Sequence, residues 1–466
     1  MRKLMSLIMF PSVFQSVCRK VRCGLGLAVA MVMFSGCAHF EINEPATDLP
    51  QLPAASSGTR ADDLLVVLTF SGGGARASAL SYGVLESLAQ KTIRWHGRDR
   101  RLLDEVDLIS GVSGGSFTAA YFGLFGDRIF EVFKPEFLNR DVDGELIGKL
   151  FSPVNWMRLW SPYYDRSELS TDLYNDVLFH HTTFGDFAKS PGPDILINAT
   201  DMTLGDGFTF DALHFRLICS DLANFPVARA VMASSAVPGI FSPVTLFNYA
   251  GTCGYQEPGW VEGALHRSLG EDERSGLARK IRAYQDLLQR PYIHLLDGGL
   301  ADNLGLRAIL DRVRFYHAGI GAPQSHLLNQ DLAKILVVVV NAAASPSTDL
   351  NRRKNPPSVI DSVDVATTIQ VNRYNDETLQ LFKRSVEEWR EAMRVLRCGD
   401  EHCEAEPEFF LVDASLSQVK DRKQRRFLQT QPTSFSLSPE AVEGLVSAGK
   451  QLLDESEGMA EFLRSF

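Results

Sequence analysis

The pattern of apolar and polar residues along the chain predicts short buried strands that alternate with amphipathic helices. Helical patterns include residues 77–89, in which leucine and valine recur at a spacing of three or four. Continuous apolar runs of strand length lie at residues 64–70, 106–109, 194–197, 292–296 and 335–340. Uninterrupted runs of this kind are typical of parallel strands that are covered on both faces. The alternation predicts an α/β fold, with helices on both faces of a central, mostly parallel sheet.

The pattern changes from about residue 346 onward. A long, charged amphipathic helix is predicted over residues 363–396, and residues 409–412 are a candidate late strand. Ser438, followed by proline and glutamate, has the composition of a helix start. The stretch 345–360, which contains a Pro-Pro pair, is the best candidate boundary. The pattern leaves open whether the C-terminal region is a separate domain or wraps around the first.

The N-terminus has the features of an export signal. Basic residues precede an uncharged apolar run at 24–34, which a serine, a glycine and Cys37 follow. The arrangement resembles a bacterial lipobox, in which this cysteine is lipidated after export. A plain signal peptide and an uncleaved anchor remain alternatives, although the run is short for a span that needs about 20 residues. Ala38 after the cysteine, by resemblance to other lipoproteins, favours the outer membrane of a bacterial cell envelope, facing the periplasm.

These patterns divide the chain into four parts. We expect a lipoprotein-type signal peptide at 1–36, a tether at 37–60, a globular domain at 61–345 and a mainly helical C-terminal region at 346–466. The tether is rich in proline, alanine, serine, threonine and aspartate, as a flexible connection is.

Composition and charge narrow the possible partners. The chain has 466 residues, of which 45% are hydrophobic and 22% charged, enough for a large apolar core. Residues 1–36 carry five positive and no negative charges, so their removal would change the net charge from −10 to −15. A protein this acidic has no electrostatic footprint for nucleic acid.

Seven cysteines are present, and those outside the signal suit disulfide formation. Besides Cys37 and two earlier cysteines, the chain has Cys219, Cys253, Cys398 and Cys403, an even number that is typical of exported proteins. Cys398 and Cys403 enclose a short polar loop, and this pair is favoured. A zinc site that also uses His402 is the alternative, although it lacks a fourth ligand.

Two glycine-rich motifs follow the first two predicted strands. Residues 111–115 read Gly-Val-Ser-Gly-Gly, which at a strand-to-helix turn is typical of a nucleophile elbow with Ser113 at its tip. Gly111 and Gly115 would allow the tight turn, although an ordinary glycine–serine turn has the same composition. Residues 71–76 read Ser-Gly-Gly-Gly-Ala-Arg, and the phosphate-binding glycine spacings are absent. We therefore interpret this loop as an oxyanion hole, in which backbone N–H groups stabilise a negative oxygen.

Arg76 and Asp297 complete the candidate chemistry. Arg76 either pins the glycine loop by hydrogen bonds, meets an anionic substrate group, or is a solvated residue at the start of a helix. Asp297 ends the predicted strand at 292–296 and precedes two glycines, which also fits a simple turn. At the carboxyl end of a strand, where catalytic groups of parallel sheets gather, it could accept the Ser113 proton and later return it.

With these motifs in this order, residues 64–345 resemble the patatin-like phospholipases. The resemblance also rests on Ala-Ser-Ser-Ala-Val-Pro-Gly-Ile-Phe at 233–241. It implies a three-layer α/β/α sandwich and a serine acyl hydrolase acting on phospholipids, lysophospholipids or simpler lipid esters, without a metal or organic cofactor. Ser113 would be the nucleophile and Asp297 its base. By the same resemblance, the oxyanion hole would be lined by Gly72, Gly73 and Gly74, with support from Arg76.

Several alternatives remain open. An α/β-hydrolase esterase would need a histidine after Asp297 in the chain, for which the candidates are His317, His326 and His402. A non-catalytic envelope lipoprotein that binds lipid is a further possibility. Residues 201–207 have a spacing similar to a calcium loop without its final acid, so a structural turn is favoured. The aromatic stretch 155–164 fits a bilayer interface, a lid or the core of a helical insertion.

Overall fold

The computed structural model describes residues 43–50, 60–161, 164–267, 273–318, 331–345, 351–352, 354–356, 358–398 and 406–466. The predicted signal peptide and Cys37 lie outside these residues. So do Cys403, with the favoured Cys398–Cys403 pairing, and the histidines His326 and His402. Among the described helices, none has both the length and the apolar character needed to cross a membrane.

The strands form one large sheet and one small hairpin. They are β1 (Leu64–Phe70), β2 (Thr92–Trp95), β3 (Arg98–Arg101), β4 (Val106–Val112), β5 (Asp194–Asp201), β6 (Asp206–Phe210), β7 (Val244–Phe247), β8 (Tyr292–Asp297), β9 (Lys334–Asn341) and β10 (Glu408–Ser415). The large sheet has the order β10-β9-β1-β4-β5-β8-β7, with β6 also paired to β5, whereas β2 and β3 pair with each other. The strands from β10 to β5 are parallel, which confirms the predicted mostly parallel sheet.

Helices surround this sheet. They are α1 (Ala75–Ala89), α2 (Gly114–Phe125), α3 (Ile129–Phe133), α4 (Val142–Leu150), α5 (Pro153–Leu159), α6 (Arg166–Tyr174), α7 (Phe184–Phe187), α8 (Ala212–Leu217), α9 (Val227–Ser234), α10 (Trp260–Leu265), α11 (Glu273–Gln285), α12 (Gly299–Asp302), α13 (Leu306–His317), α14 (Val359–Cys398), α15 (Arg422–Gln429), α16 (Pro439–Asp454) and α17 (Glu457–Arg464). Short π-helical turns, Lys134–Leu138 and Asn175–Phe179, follow α3 and α6.

The apolar residues of β1 alternate between two cores. Val66 and Leu68 belong to the larger core, which includes α1, α2 and α16. Leu65 and Val67 point to the other face, where they pack with α13 and α14. Successive side chains of a strand point to opposite faces, so a continuous apolar strand needs cover on both. The structure is therefore the predicted three-layer α/β/α sandwich.

β4 and β8 meet end to end along the same edge of β5. β4 pairs with β5 up to Val112, which lies opposite Asn198, and β8 pairs with β5 from Asp297, which lies opposite Ala199. β6 pairs with the other edge of β5, opposite both Asn198 and Ala199. β8 is thus antiparallel to β5, and the expectation that Asp297 ends a parallel strand is wrong. Asp297 instead reaches the end of β4 from the opposite direction.

The C-terminal region completes the same sandwich. β10, which covers the predicted strand at 409–412, lies parallel to β9 as the edge strand of the sheet. α14 contains the predicted long helix, and Ser438 caps α16 by accepting a hydrogen bond from the N–H of Ala441. α16 packs so closely on α1 that a Cβ at Gly83 would lie 2.1 Å from the carbonyl oxygen of Val446. The C-terminal region therefore wraps around the first part of the chain.

A disulfide joins Cys219 and Cys253. These two cysteines form a small apolar cluster with Ala46 from the N-terminal segment 43–50. The N–H of Ala46 donates a 2.9 Å hydrogen bond to the carbonyl oxygen of Cys219. The disulfide therefore lies where the N-terminal segment is attached to the body of the protein.

Candidate active site

Ser113 lies in a sharp turn between β4 and α2. Its φ of 49° falls in the left-handed region, which residues other than glycine seldom adopt. A Cβ at Gly111 would lie 2.8 Å from the Cα atom of Ser116. A Cβ at Gly115 would lie 2.4 Å from the carbonyl oxygen of Phe70, the last residue of β1. Both glycines are required by close packing, and the turn has the geometry expected of a nucleophile elbow.

Ser113 and Asp297 are in direct contact. The Ser113 hydroxyl donates a 2.8 Å hydrogen bond to Oδ2 of Asp297, and Oδ1 of Asp297 accepts a 2.8 Å bond from the N–H of Gly299. Burial raises the pKa of Asp297 to about 6, and the two hydrogen bonds oppose this rise. A carboxylate with such a pKa is largely ionised at neutral pH and is a stronger base than an ordinary aspartate.

The segment 233–241 holds both members of this pair in place. The Oγ atom of Ser234 accepts a 2.8 Å hydrogen bond from the N–H of Ser113 and donates one of 2.6 Å to the carbonyl oxygen of Asn198. The N–H of Asp297 donates a 3.0 Å bond to the carbonyl oxygen of Ala236. No pattern in this segment singles out Ser234 as the residue that contacts the elbow.

The glycine loop lies beside Ser113. A Cβ at Gly72 would lie 3.4 Å from the Cβ of Ser113. Gly73 and Gly74 have φ values of 139° and 59°, conformations that favour glycine. Within the part of the chain that the structure describes, no group accepts a hydrogen bond from the N–H of Gly73 or Gly74. These two donors are therefore free to bind an incoming oxygen.

Gly72 differs from the sequence prediction. Its N–H donates a 3.1 Å hydrogen bond to the carbonyl oxygen of Asn303, so it lines the site without offering a free donor. The side-chain amide of Asn303 in turn donates a 3.3 Å bond to Oδ1 of Asn375, which lies in α14. No motif marks either asparagine, because only the folded chain brings α14 beside the glycine loop.

Arg76 is buried beneath the glycine loop, with 2% of its surface exposed. Its Nε donates a 2.8 Å hydrogen bond to the carbonyl oxygen of Ala342. The guanidinium also donates to the carbonyl oxygen of Gln431 and the hydroxyl of Thr433. Of its three predicted roles, Arg76 therefore has that of pinning the glycine loop by hydrogen bonds, and it attaches the loop to the C-terminal region. Burial lowers its pKa to about 10, so it remains charged at neutral pH.

Among the histidines whose side chains the structure describes, none is hydrogen-bonded to Ser113 or Asp297. His294 precedes Asp297 by three residues on β8, but its Nδ1 is 2.9 Å from the hydroxyl of Thr245. Among the triad candidates, His317 is the last residue of α13, and the other two lie outside the described residues. The group that contacts the Ser113 hydroxyl is instead the carboxylate of Asp297.

The loop that resembled a calcium site is a turn between β5 and β6. Oδ1 of Asp201 accepts hydrogen bonds of 2.9 and 3.0 Å from the N–H groups of Thr203 and Leu204. Its Oδ2 is also 3.1 Å from Nη1 of Arg290. The preferred interpretation as a structural turn is therefore confirmed. No group of three or more potential metal ligands occurs among the residues described by the structure.

Both a family of known sequences and several solved structures resemble this protein. The family model for patatin-like phospholipases matches residues 68–310. A sequence comparison with curated proteins finds no significant match. Among solved structures, the human GIVD cytosolic phospholipase A2 is similar at 14% sequence identity and a TM-score of 0.43, with 87% of this chain and 62% of that chain covered. The chain thus spans less than two thirds of the length of the human protein.

Two bacterial structures are also similar. VipD from Legionella pneumophila is 12% identical, with 94% of this chain and 73% of that chain covered and a TM-score of 0.31. ExoU from Pseudomonas aeruginosa, solved in complex with SpcU, is 15% identical, with coverage of 93% and 84% and a TM-score of 0.24. TM-scores this low do not establish a common fold, so the assignment rests on the family model. Since that model matches more than half of the chain, the protein belongs to the patatin-like phospholipase family.

Proposed function

We propose that this protein is a serine acyl hydrolase of lipid esters, with Ser113 as nucleophile and Asp297 as general base. The observation that carries the proposal is the 2.8 Å hydrogen bond from the Ser113 hydroxyl to the Asp297 carboxylate, at the tip of an elbow beside two free backbone donors. Membership of the patatin-like phospholipase family supports a lipid substrate.

The proposed reaction has two halves. Ser113 Oγ attacks the ester carbonyl carbon while its proton passes to Asp297, and the N–H groups of Gly73 and Gly74 stabilise the tetrahedral oxyanion. Collapse of this intermediate breaks the ester bond, and Asp297 returns the proton to the departing alcohol oxygen. Water then attacks the acyl-enzyme, gives its proton to Asp297, and releases the fatty acid as the proton returns to Ser113 Oγ.

The direct contact favours a dyad over a Ser-Asp-His triad. In a triad the imidazole lies between the serine hydroxyl and the carboxylate. Here the two oxygen atoms are 2.8 Å apart, which leaves no space for a ring between them. The second oxygen of Asp297 is engaged by the N–H of Gly299. We therefore propose that the base is Asp297 itself.

A fluorophosphonate probe tests this proposal, since it reacts covalently with an activated serine. We expect labelling of the wild-type protein at Ser113, none in S113A, and a loss of labelling rate of about 10²–10⁴ in D297N, the range of a general base. Circular dichroism would establish that both variants are folded. Failure of folded wild-type protein to react would support the non-catalytic lipoprotein, and rapid labelling of D297N would support a histidine base.

We further propose a phospholipase A or lysophospholipase type of specificity, which follows from the family. Hydrolysis of a panel of defined phospholipids, lysophospholipids and short-chain esters would test it, with S113A as the control. Release of fatty acid from short-chain esters alone would limit the activity to a simple esterase.

The lipobox-like sequence supports a location as a lipoprotein of the bacterial outer membrane, facing the periplasm. Cys37→Ser would then remove the lipid attachment and shift the protein to the soluble fraction of the envelope. Unchanged membrane association of this variant would contradict lipidation at Cys37.

A further inference from the structure

The helices α4 and α5 expose an unusual apolar surface. Its large side chains are 56–83% exposed, and we call this set the α4–α5 face: Ile147, Phe151, Val154, Trp156, Met157 and Trp160. A surface helix of a soluble protein normally turns its apolar side to the core. Here these side chains point away from the protein, whereas buried Val142 and partly buried Leu146 are the ones that face inward.

The basic side chains of this stretch are paired with carboxylates of the neighbouring chain segment. Nη2 of Arg158 lies 2.9 Å from a carboxylate oxygen of Asp172 in α6. Lys149 lies 3.7 Å from Asp176, directly after α6. The indole N–H of Trp156 donates a 2.9 Å hydrogen bond to the carbonyl oxygen of Leu150. Both cations beside the α4–α5 face are therefore paired within the protein, although Arg158 stays about half exposed, and the indole N–H of Trp156 also has a partner.

The start of α4 is attached beside the glycine loop. Oδ2 of Asp143 accepts a 3.0 Å hydrogen bond from the N–H of Phe435. The preceding residue, Ser434, accepts a 2.8 Å bond from the N–H of Ala75, which directly follows the three glycines. One end of the helical pair is therefore linked to the side of the site that holds the free backbone donors.

The chain that follows α5 is attached on the Asp297 side. Nη1 of Arg166 donates a 3.4 Å hydrogen bond to the carbonyl oxygen of Gly239. Gly239 lies in the same segment as Ala236, whose carbonyl oxygen accepts the bond from the N–H of Asp297. The pair α4–α5 thus runs from the glycine loop to the segment that positions the base.

Two further exposed apolar side chains lie next to this attachment. Ile240 is 58% exposed and follows Gly239, and Leu300 is 41% exposed and lies three residues after Asp297. Exposed apolar side chains therefore also lie beside the residues that adjoin the candidate dyad.

We propose that the α4–α5 face is the surface with which this protein binds a lipid bilayer, so that a lipid ester leaving the bilayer reaches Ser113 directly. This inference rests on the proposed function, because a lipid ester substrate resides in such a bilayer. Tryptophan is enriched at the interface of bilayers, and an amphipathic helix binds them through its apolar face. Because the cations beside this face are paired with carboxylates, we expect binding to zwitterionic lipid rather than to an anionic surface.

Quenching of tryptophan fluorescence by brominated phosphatidylcholine vesicles tests insertion. The full chain would be used, in the S113A background so that the vesicles are not hydrolysed. Only tryptophans that enter the acyl region are quenched, so attachment through the N-terminal residues does not itself produce a signal. We expect strong quenching, its loss in W156F/W160F, and its retention in W95F/W260F, which changes two partly buried tryptophans outside the face.

Catalysis gives an independent measurement in the enzyme with Ser113 intact. The variant W156S/M157S/W160S is expected to lower hydrolysis of phosphatidylcholine vesicles by at least about tenfold, because apolar area drives interfacial binding. Hydrolysis of a soluble short-chain ester is expected to change less than about twofold, since the dyad is untouched. Equal losses on both substrates would assign the face to a lid or to the fold and overturn the proposal.

The remaining outcomes also decide the question. Quenching that persists in W156F/W160F, or self-association of the wild-type protein that W156S/M157S/W160S abolishes, would assign the face to another role and overturn bilayer binding. Quenching as expected in a protein without hydrolase activity would support the membrane surface and contradict the proposed function alone.

Discussion

At the scale of single residues, the burial of Asp297 sets the pH at which the proposed chemistry runs. Its pKa is raised to about 6, mainly because burial disfavours the charged form. A general base acts only when it is deprotonated. We therefore expect kcat/KM to rise with pH around a midpoint near 6 and to level off above about 7. A profile that is flat between about pH 5 and 8 would contradict Asp297 as the base.

The same shift predicts how Asp297 affects stability. The folded state holds this proton more tightly than the unfolded chain does, so ionisation of Asp297 costs stability as the pH rises from about 4 to 6, and the full cost persists above. We expect D297N to have a higher free energy of unfolding than the wild type at pH 8, and little difference at pH 4. Urea unfolding at both pH values would measure this, and a variant that is less stable at pH 8 would contradict it.

Ser234 is a positioning residue with an adjacent matched control. Its hydroxyl bonds both the N–H of Ser113 and the carbonyl oxygen of Asn198, whereas the buried hydroxyl of Ser235 has no partner among the described residues. Leaving a buried N–H unpaired costs about 1–3 kcal/mol. We expect S234A to lower kcat about tenfold or more with little change in KM, and S235A to behave like the wild type. Equal effects of the two substitutions would show that Ser234 has no special role.

At the scale of elements, close contact between α1 and α16 depends on two glycines. A Cβ at Gly83 would lie 2.1 Å from the carbonyl oxygen of Val446, and one at Gly449 2.3 Å from that of Leu80. Because backbone atoms are the nearest neighbours, the helices would have to separate to admit a methyl group. The packing of the C-terminal region on the first helix is therefore as specific as a core contact.

Alanine scanning of helical glycines would test this contact. G83A is expected to lower the free energy of unfolding by about 1–3 kcal/mol or more, because overpacking outweighs the gain in helix propensity. Gly148 lies in α4 with nothing within 4 Å of its Cβ position, so G148A is expected to stabilise by about 0.5–1 kcal/mol. Chemical denaturation would measure both, and stabilisation by G83A would contradict the close packing.

At the scale of the whole molecule, the C-terminal region is part of the folding unit. β10 covers the edge of β9, α16 covers α1, and the buried guanidinium of Arg76 bonds oxygen atoms at residues 431 and 433. An uncovered β9 would expose a strongly apolar edge strand, which favours aggregation. The same region also lies directly over the glycine loop of the candidate site.

Truncation tests whether the C-terminal region belongs to the same folding unit as the rest of the protein. We expect a chain that ends at residue 345 to aggregate or to lack a cooperative thermal transition, because its sheet edge and α1 lose their cover. A chain that begins at residue 43 and keeps the C-terminal region is the matched control and should unfold cooperatively. Size-exclusion chromatography and circular dichroism would distinguish the two. A soluble, cooperatively folded 43–345 fragment would contradict a single folding unit.

The local parts of this protein could be predicted from sequence because their causes are local. Apolar runs require burial, so they predicted β1, β4, β5, β8 and β9, whereas β2, β3, β6 and β7, which were not predicted, lack such a run. The elbow at 111–115 and the glycine loop at 71–76 follow from the small volume and backbone freedom of glycine. The order of these motifs also led to Asp297 and to the family that the sequence match then established.

The relations between distant parts were decided only by the tertiary structure. The strand before Asp297 was predicted as parallel, and the run of apolar residues could not reveal its direction, since burial of both faces is independent of orientation. The N–H of Gly72 donates a hydrogen bond to Asn303, and Arg76 donates hydrogen bonds to the C-terminal region. Neither contact could be predicted, because hydrogen-bond partners far apart in the chain leave no periodic signal. The aromatic stretch at 155–164 has the same composition whether it is buried or exposed. The sequence determined which residues could do chemistry, and packing decided which of their groups remain free to do it.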